Sequence, residues 1–316
     1  MKNKVVVIGG GNGGAISVVA LKQNLALFDI SAVISMVDST GSSGKLRSEY
    51  DMLPPGDVMR VALAMSRHDY SFLKELFYRQ RFKDLGKLKG HNLGNLFLFA
   101  AWRMSGDFVQ ALRAFEQGVQ AVGKVYPNIL KSTNICAELT NGKIVKTEGA
   151  IDVPKYDRSL KIKKVYLEPK VSAYKDALKV IRETDYIILG PGSLHTSIIA
   201  ALLPNGIKET IKKNSKAKLI YVVGNARHTN GETGPEDVFG CVQTLEKYLP
   251  RELDLVIYSG NKLTTKQKKN YKVRGWSLLD DNGDLLGKKL LRAPYERENG
   301  GVCAEKLGKI LKRLLK

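Results

Sequence analysis

Glycines with the spacing of a phosphate-binding loop lie near the start of this chain. Gly9, Gly11 and Gly14 satisfy the pattern G-x-G-x-x-G, after the apolar run from Val5 to Ile8 and before a helix-like stretch. Glycine lets the backbone approach a phosphate closely, and a helix N-terminus offers unpaired N–H groups with a partial positive charge. The loop therefore predicts a phosphate or pyrophosphate site, and a packing turn without a ligand is the alternative. The predicted ligand contacts are Gly9, Gly10, Gly11, Asn12 and Gly13.

A second segment rich in hydroxyls and glycines runs from Ser39 to Arg47. Serine hydroxyls and backbone N–H groups donate to phosphate oxygens, and an arginine can donate two parallel hydrogen bonds. The spacing of a Walker A loop is missing, so the segment predicts another kind of anion cradle. A flexible, solvated loop is the alternative. The predicted contacts are Ser42, Ser43, Lys45 and Arg47.

Two carboxylates flank this segment. Asp38 ends the second predicted strand, 24 residues after Gly14, where an acidic residue can bind ribose hydroxyls. Asp57 follows a rigid P-P-G turn. Together they are candidate catalytic residues and candidate ligands of Mg²⁺, because carboxylates suit a metal ion that bridges phosphates. Capping of a helix that begins near Val58 explains Asp57 equally well.

Polar side chains also open the apolar helix that is predicted after Gly90. His91, Asn92 and Asn95 can donate hydrogen bonds to a base, a ribose or a phosphate. Helix capping accounts for one asparagine, but not for the whole cluster. We therefore predict that all three side chains contact a ligand.

A second apolar strand is followed by a glycine turn and by hydroxyl side chains. It is the strand predicted from Tyr186 to Leu189, after which the chain reads GPGSLHTS. Two such loops at the carboxyl ends of parallel strands predict a shared crevice. Helix capping by the hydroxyls is the alternative. A nucleophilic serine is not expected, because the G-x-S-x-G pattern is missing. The predicted contacts at this edge are Gly190, Gly192, Ser193, Thr196, Asn225 and Arg227.

A parallel sheet is needed to bring these segments together. The buried apolar strand at Val5 to Ile8 and a second strand from Ile30 to Val37 frame a βαβ unit. The Asn141-Gly142 pair predicts a hairpin over residues 135–146, and residues 38–57 are interpreted as a long loop. Further strands are predicted at 162–167, 186–189, 219–223 and 255–258.

The predicted fold class follows from this alternation of strands and helices. It is α/β, with a doubly wound, mostly parallel Rossmann-like sheet, a helical insertion and a β-hairpin insert. We predict a single domain over residues 1–316, with the helical insertion at about 58–125 and a basic amphipathic helix at about 302–315.

Composition narrows the class of function. The formal net charge is +20, with basic clusters from Lys262 to Arg274 and from Lys306 to Lys316, yet no nucleic-acid module accompanies them. An anionic small ligand suits this charge better than nucleic acid. Three widely separated cysteines, and the lack of a signal-peptide or membrane-span pattern, predict a cytoplasmic protein. A homodimer is compatible with the sequence.

The motifs together, in this order, resemble the gluconeogenesis factor family, also called YvcK-like or CofD-like proteins. The resemblance is carried by the first glycine loop, the serine segment, PPGD, GHNLGN, TNGKIV and GPGSLHTS. It implies a cytoplasmic protein that binds a nucleotide sugar, UDP-N-acetylglucosamine in particular, and influences carbon metabolism, cell-wall synthesis and cell shape. Related transferases move phospholactate from a nucleoside diphosphate carrier to a deazaflavin alcohol.

Three positions depart from the family pattern. Asp38-Ser39 stands where two adjacent aspartates are common, and Asn12 stands where a threonine is typical. Met59 stands two residues after the aspartate of PPGD, where the family usually has an arginine. Arg60 is the next residue. The departures preserve phosphate binding but remove a carboxylate from the transfer chemistry.

The leading hypothesis is therefore a nucleotide-sugar-binding regulator that requires no cofactor. A second hypothesis is a transferase in which Mg²⁺ at Asp38 and Asp57 neutralises charge and Arg47 stabilises the leaving nucleotide. A third is an NAD(P)-dependent oxidoreductase, suggested by the first glycine loop. A nucleic-acid-binding module is supported by the charge alone.

Overall fold

The structure is a computed structural model that describes residues 1–260 and 262–315. Lys316, the last residue of the C-terminal basic cluster, therefore lies outside the described residues. The strands are β1 Asn3–Gly9, β2 Phe28–Ile34, β3 Lys124–Pro127, β4 Asn134–Leu139, β5 Ile144–Lys146, β6 Ile162–Glu168, β7 Tyr186–Leu189, β8 Lys218–Val222, β9 Ala226–His228, β10 Leu255–Tyr258, β11 Trp276–Leu278 and β12 Leu290–Arg292. The helices are α1 Gly11–Lys22, α2 Gly41–Tyr50, α3 Gly56–Met65, α4 Tyr70–Lys74, α5 Leu93–Ser105, α6 Phe108–Gly118, α7 Glu148–Asp152, α8 Lys175–Arg182, α9 Ala200–Leu202, α10 Ile207–Lys213, α11 Val238–Glu246, α12 Thr265–Val273 and α13 Ala304–Leu314.

A parallel sheet forms the centre of the fold. Its strand order across the described residues is β12-β10-β8-β7-β1-β2-β3, and every neighbouring pair is parallel. The side chains of β1 from Val5 to Ile8 are almost completely buried, because the sheet is covered by helices on both faces. The predicted doubly wound α/β fold is confirmed.

The helices pack in two groups on this sheet. On one side, α1 packs against α3 and α13. The α1–α13 contact is close, since a Cβ on Gly308 would lie 2.6 Å from the carbonyl oxygen of Ala20. Elsewhere α8 packs against α10, and a π-helical turn at Leu194–Ile199 leads into α9. Helices α3 to α6 occupy most of the segment between β2 and β3, where the helical insertion was predicted.

A small antiparallel sheet lies beside the parallel one. The predicted hairpin is present, with β4 paired to β5, and β6 pairs with the other edge of β4. Residues 162–167 were predicted as a further strand of the main architecture, but β6 belongs to this small sheet. Strands β9 and β11 form a separate two-stranded ribbon.

Two boundaries differ from the sequence predictions. The second strand ends at Ile34, so Asp38 follows four residues after it and does not end it. Residues 38–57 are not one long loop, because α2 spans Gly41–Tyr50 within them. Among the described residues, no helix is long and apolar enough to cross a membrane.

Candidate functional site

The two predicted glycine loops meet at the carboxyl ends of neighbouring strands. Strand β1 leads into the first loop and β7 into the second, and these strands are adjacent in the sheet. The chain runs from β1 outward through β2 to β3 on one side, whereas β7 lies on the other side. This reversal is the topological switch point at which open α/β sheets bind ligands. The loops approach so closely that a Cβ on Gly13 would lie 1.4 Å from the carbonyl oxygen of Pro191.

The N-terminus of α1 opens into this crevice. Its N-cap is Gly10, which has no side chain to cap the helix, and the Gly11 N–H donates to the Asp57 carboxylate. A Cβ on Gly10 would lie 2.6 Å from the Ser197 hydroxyl, and one on Gly11 would lie 2.3 Å from a carboxylate oxygen of Asp57. The backbone can approach these neighbours only because the residues are glycines. Asn12 is exposed in the first turn of α1 and is available to a ligand.

Helix α2 brings a second open N-terminus to the same place. Its N-cap Thr40 makes no side-chain capping hydrogen bond, and Gly41 has a φ of 52°, which glycine adopts without strain. The side chains of Ser42 and Ser43 therefore belong to the first helical turn and not to a flexible loop. A Cβ on Gly56, at the start of α3, would lie 2.4 Å from the Ser43 hydroxyl, so the starts of α2 and α3 are in contact.

The polar residues of α2 and α5 form one buried network. Ser42 Oγ lies 2.9 Å from His91 Nδ1 and accepts a hydrogen bond of 2.9 Å from Asn95 Nδ2. Asn92 caps α5 by accepting from the Asn95 N–H at 2.8 Å, and Ser43 Oγ accepts from the Gly56 N–H. Burial, followed by the charge of nearby Lys45, lowers the pKa of His91. Asn92 is fully buried, and no partner is found for its Nδ2 among the described residues.

This network gives the predicted contacts a structural role. His91, Asn92, Asn95, Ser42 and Ser43 hold the starts of α2, α3 and α5 together, and each is at most 5% exposed. Direct ligand contact by the five side chains stays a prediction.

Asp38 and Asp57 lie near each other at the crevice wall, each with a partner. Asp38 accepts hydrogen bonds from the N–H and the hydroxyl of Thr40, at 2.9 and 3.0 Å. Asp57 lies in the first turn of α3, whose N-cap is Pro55, and it pairs with Arg60 at 3.0 Å. Burial raises the pKa of Asp57, although Arg60 and a hydrogen bond from the Gly11 N–H oppose this shift.

Two further carboxylates face Asp38 from α7. Burial, and then the negative charges of Asp38 and Asp152, raise the pKa of Glu148 to about 8. Burial and the charge of Glu232 raise the pKa of Asp152, against the opposing effects of His228 and a hydrogen bond with Ser193. The sequence analysis missed both α7 residues, because no motif marks them.

No group of three or more histidine, cysteine or acidic side chains is arranged to hold a metal ion within residues 1–260 and 262–315. Asp38 and Asp57 supply two carboxylates at most. Mg²⁺ commonly binds through one or two carboxylates plus substrate phosphates, so these residues would suit an ion that arrives with its ligand. Mg²⁺ at Asp38 and Asp57 stays a prediction.

Positive charge converges beside the Asp57–Arg60 pair. Burial and the three guanidinium groups of Arg60, Arg79 and Arg297 lower the pKa of Lys74 to about 8. Of the cations predicted from the sequence, Lys45 donates to the carbonyl of Lys89 at 3.0 Å. Arg79, Arg297 and Lys74 therefore place positive charge near the Asp57–Arg60 pair.

The guanidinium group of Arg47 is held by the protein itself. It donates to the carbonyl oxygens of Val37 at 3.4 Å and Thr133 at 2.5 Å, and to Asn134 Oδ1 at 2.9 Å. Burial lowers the pKa of Arg47, against the opposing charges of Asp38 and Asp51. Arg47 therefore connects α2 to β4, and its contact with a ligand stays a prediction.

The second glycine loop already holds a carboxylate of the protein. Glu232 accepts hydrogen bonds from the N–H groups of His195 and Thr196, at 3.0 and 3.1 Å, and from the Thr196 hydroxyl. The His195 imidazole lies 3.4 Å from the same carboxylate. Thr196 therefore contacts Glu232, which the sequence analysis did not identify. Gly192 and Ser193 come just before these residues. The Gly192 N would lie 3.3 Å from a Cβ on Gly13, and the Ser193 side chain hydrogen-bonds Asp152.

Asn225 and Arg227 follow β8 but have different surroundings. Asn225 is buried and donates to Glu296, while no partner is found for its Oδ1 within the described ranges. Arg227 lies on the β9–β11 ribbon and pairs with Glu236 at 2.9 Å. Asn225 thus retains an unused acceptor. Arg227 is held by Glu236 through Nη2, while no partner is found for its Nε within the described ranges.

The chain matches the family described as 2-phospho-L-lactate transferase CofD over residues 5–291. The chain belongs to the CofD family. Within it, a Thermotoga maritima protein is 36% identical over 292 residues, which cover 92% of this chain and 90% of that protein. A Bacillus subtilis protein named gluconeogenesis factor is 34% identical over 274 residues, covering 86% and 83%.

Two further similarities support this CofD-family assignment. A Halalkalibacterium halodurans protein named gluconeogenesis factor is 39% identical over 235 residues, covering 73% of this chain and 69% of that protein. A crystal structure of a UPF0052-family protein from Bacillus halodurans has a TM-score of 0.89 and 31% identity, covering 99% of each chain. The resemblance to gluconeogenesis factors that the motifs predicted is confirmed.

Proposed function

We propose that this CofD-family protein binds a nucleotide sugar of the UDP-N-acetylglucosamine type in the crevice between the two glycine loops. In this proposal it is a cytoplasmic regulator of carbon metabolism, cell-wall synthesis and cell shape. The observation that carries the proposal is the 1.4 Å that would separate a Cβ on Gly13 from the Pro191 carbonyl oxygen. This contact brings both glycine loops to the switch point of the sheet, where a Rossmann-type glycine loop binds pyrophosphate.

The helix termini supply the chemistry for a diphosphate. The N-cap residues of α1 and α2 make no side-chain capping hydrogen bond. Asp57 accepts from the Gly11 N–H, and the other first-turn N–H groups retain hydrogen-bonding capacity for an anion. Arg60 and the cations around Lys74 add positive charge near Asp57, whose carboxylate adjoins Gly11 at the start of α1. Each contribution favours a ligand with at least two negative charges.

The carboxylates around Asp38 suit the hydroxyls of a ribose or a sugar. The negative charge of Asp38 contributes to the raised pKa values of the α7 residues Glu148 and Asp152, so the three carboxylates lie close together. Carboxylate oxygens accept hydrogen bonds from hydroxyl groups, whereas they repel phosphates. A ligand with phosphates at one end and hydroxyls at the other therefore fits better than a simple polyanion.

One observation favours a transferase as a second candidate. Glu148, with its pKa raised to about 8, is suited to exchange a proton near neutral pH. In such a reaction a substrate hydroxyl attacks the β-phosphorus, its bond to the bridging oxygen breaks, and a nucleoside monophosphate leaves. Glu148 accepts the proton of the hydroxyl. Release of nucleoside monophosphate that is lost in Glu148→Gln would support this candidate.

Binding calorimetry tests the main proposal. UDP-N-acetylglucosamine, GDP, NAD and a short DNA are titrated into the protein with and without Mg²⁺. The variant Asn12→Asp places a negative charge at the start of α1, so we expect UDP-sugar affinity to fall by about tenfold or more. The matched control is Asn141→Asp, the same change in the exposed turn between β4 and β5.

Each outcome has a definite meaning. UDP-sugar binding that is weakened by Asn12→Asp and preserved by Asn141→Asp supports the proposal. Binding of NAD alone would favour the oxidoreductase hypothesis, and binding of DNA alone would favour a nucleic-acid role. Equal affinity in both variants would place the ligand away from the first glycine loop.

A further inference from the structure

A groove lies along the small sheet, outside the crevice between the glycine loops. It has a volume of about 590 Å³ and lies between β5 and the segment that contains α7. The residues that line it include Lys143, Ile144, Lys146, Gly149, Val153 and Lys155. None of these residues is among the predicted ligand contacts.

The groove follows the edge of a strand. Successive side chains of a strand point to opposite faces of a sheet, so four consecutive residues from Lys143 to Lys146 line one groove only if it runs along the strand edge. The strand order of the small sheet also makes β5 an edge strand. Among the described residues, β5 pairs with β4 on one side and with no strand on the other. An unpaired edge presents backbone N–H and C=O groups to an additional strand.

The lining combines apolar surface with positive charge. Ile144 is 38% exposed and Val153 is 61% exposed, so both have apolar surface to bury. Lys143 and Lys155 are exposed and have no ion-pair partner within the described ranges, whereas Lys146 pairs with Glu168 at 2.7 Å. The side chains therefore favour an occupant that alternates carboxylates with aliphatic groups.

We propose that the β5 edge and α7 form a docking surface for an extended, acidic segment of a partner protein. The segment adds a strand to β5, its carboxylates pair with Lys143 and Lys155, and its aliphatic side chains cover Ile144 and Val153. A second copy of this chain fits less well, because the lysines of its own β5 would repel the lysines of this surface. Nucleic acid leaves the apolar lining and the backbone edge without partners.

The same short helix connects this surface with the crevice. The Gly149 N–H donates to Ser39 Oγ at 2.9 Å, and Glu148 accepts from the Ser39 N–H at 3.4 Å. A Cβ on Gly149 would lie 2.7 Å from Thr40 Cγ2. A partner strand docked against α7 therefore contacts the helix that is hydrogen-bonded to Ser39, just before the start of α2. Docking itself does not depend on which ligand the crevice takes.

Fluorescence anisotropy with the labelled peptide EVEIEVE tests the surface on the full-length protein. We expect saturable binding that weakens about tenfold or more in the double variant Lys143→Glu with Lys155→Glu. The double variant Lys212→Glu with Lys213→Glu changes the net charge equally on the exposed side of α10, and it is expected to bind within about twofold of the wild type. Val153→Asp provides a test of the apolar contact and is expected to weaken binding.

Backbone pairing is tested separately from charge. The peptide with alternate amides N-methylated keeps its carboxylates but cannot pair along one edge, so it is expected to lose binding. Hydrogen exchange should slow at Ile144–Lys146 when EVEIEVE binds. The proposal would be overturned if the two double variants bound EVEIEVE equally well. It would also be overturned if the methylated peptide, or single-stranded DNA of the same charge, bound the wild type as tightly as EVEIEVE does. Peptide-induced protection confined to other strands would also overturn it.

Discussion

The carbonyl oxygen of Pro191 occupies the space that a side chain on Gly13 would need. An ideal Cβ built on Gly13 falls 1.4 Å from that oxygen and 2.5 Å from the carbonyl carbon. Because both neighbours are backbone atoms, no side-chain rotation relieves the overlap. The two glycine loops therefore depend on each other for their positions.

Gly13→Ala is expected to destabilise the protein by roughly 3 kcal/mol, because one loop must move to admit the methyl group. Urea denaturation measures the change in the free energy of unfolding. Gly118→Ala is the control, since a Cβ there meets nothing within 4 Å at the end of α6, and a gain of about 0.5 kcal/mol is expected. Equal stability of the two variants would contradict the close approach of the loops.

Asn92→Ala is expected to lower the free energy of unfolding by about 1 to 2 kcal/mol, because α5 loses its N-cap acceptor. Asn92→Ser retains an oxygen that can cap the helix and should recover part of the loss. Thermal denaturation and nucleotide affinity are measured on both variants. Full stability combined with lost affinity would show that Asn92 serves the ligand and not the helix.

Lys74 is expected to react with acetic anhydride along a pH profile centred near its lowered pKa of about 8. A deprotonated amine is the nucleophile, so reactivity rises as pH increases through the pKa. Arg79→Gln removes one of the charges that lower this pKa and should shift the profile to higher pH. Mass spectrometry after competitive labelling compares Lys74 with exposed Lys212 in the same sample. Indistinguishable profiles for the two lysines would refute the cation cluster.

Glu148 is expected to make the folded state less stable as pH rises from about 5 to 9. Its folded pKa is about 8 and its ordinary value is 4.5, so between these values the native state keeps a proton that the unfolded state has released. Raising the pH therefore favours unfolding. Glu148→Gln removes this contribution and should lose less stability over the interval than the wild type, as measured by urea denaturation at several pH values. Glu183→Gln, at the exposed end of α8, should follow the wild-type slope.

The parallel sheet and both glycine loops could be predicted because their signals are local. A buried apolar run followed by glycines identifies both β1 and β7 together with their loops. Helix α2 was missed because its sequence, GSSGKLRSEY, begins with residues of low helix propensity. Tertiary contacts override that propensity, since Ser42 and Ser43 are tied to α5 and α3.

The acidic wall of the site could not be predicted in the same way. Glu148 and Asp152 belong to a five-residue helix after the hairpin, and neither lies in a motif. Their proximity to Asp38 depends on packing between segments more than 100 residues apart in sequence. Glu232 was missed for the same reason, because its partners His195 and Thr196 lie 36 to 37 residues earlier.

The central position of β1 has a consequence during synthesis of the chain. Val5 pairs with Ile30 on one side but with Tyr186 on the other, so more than half of the polypeptide must leave the ribosome before the strand is enclosed. Until then a nascent chain exposes an apolar strand edge, which can recruit other unfolded chains. Fragments that stop before β7 are therefore expected to aggregate, and chaperones that cover apolar segments should matter most during this interval.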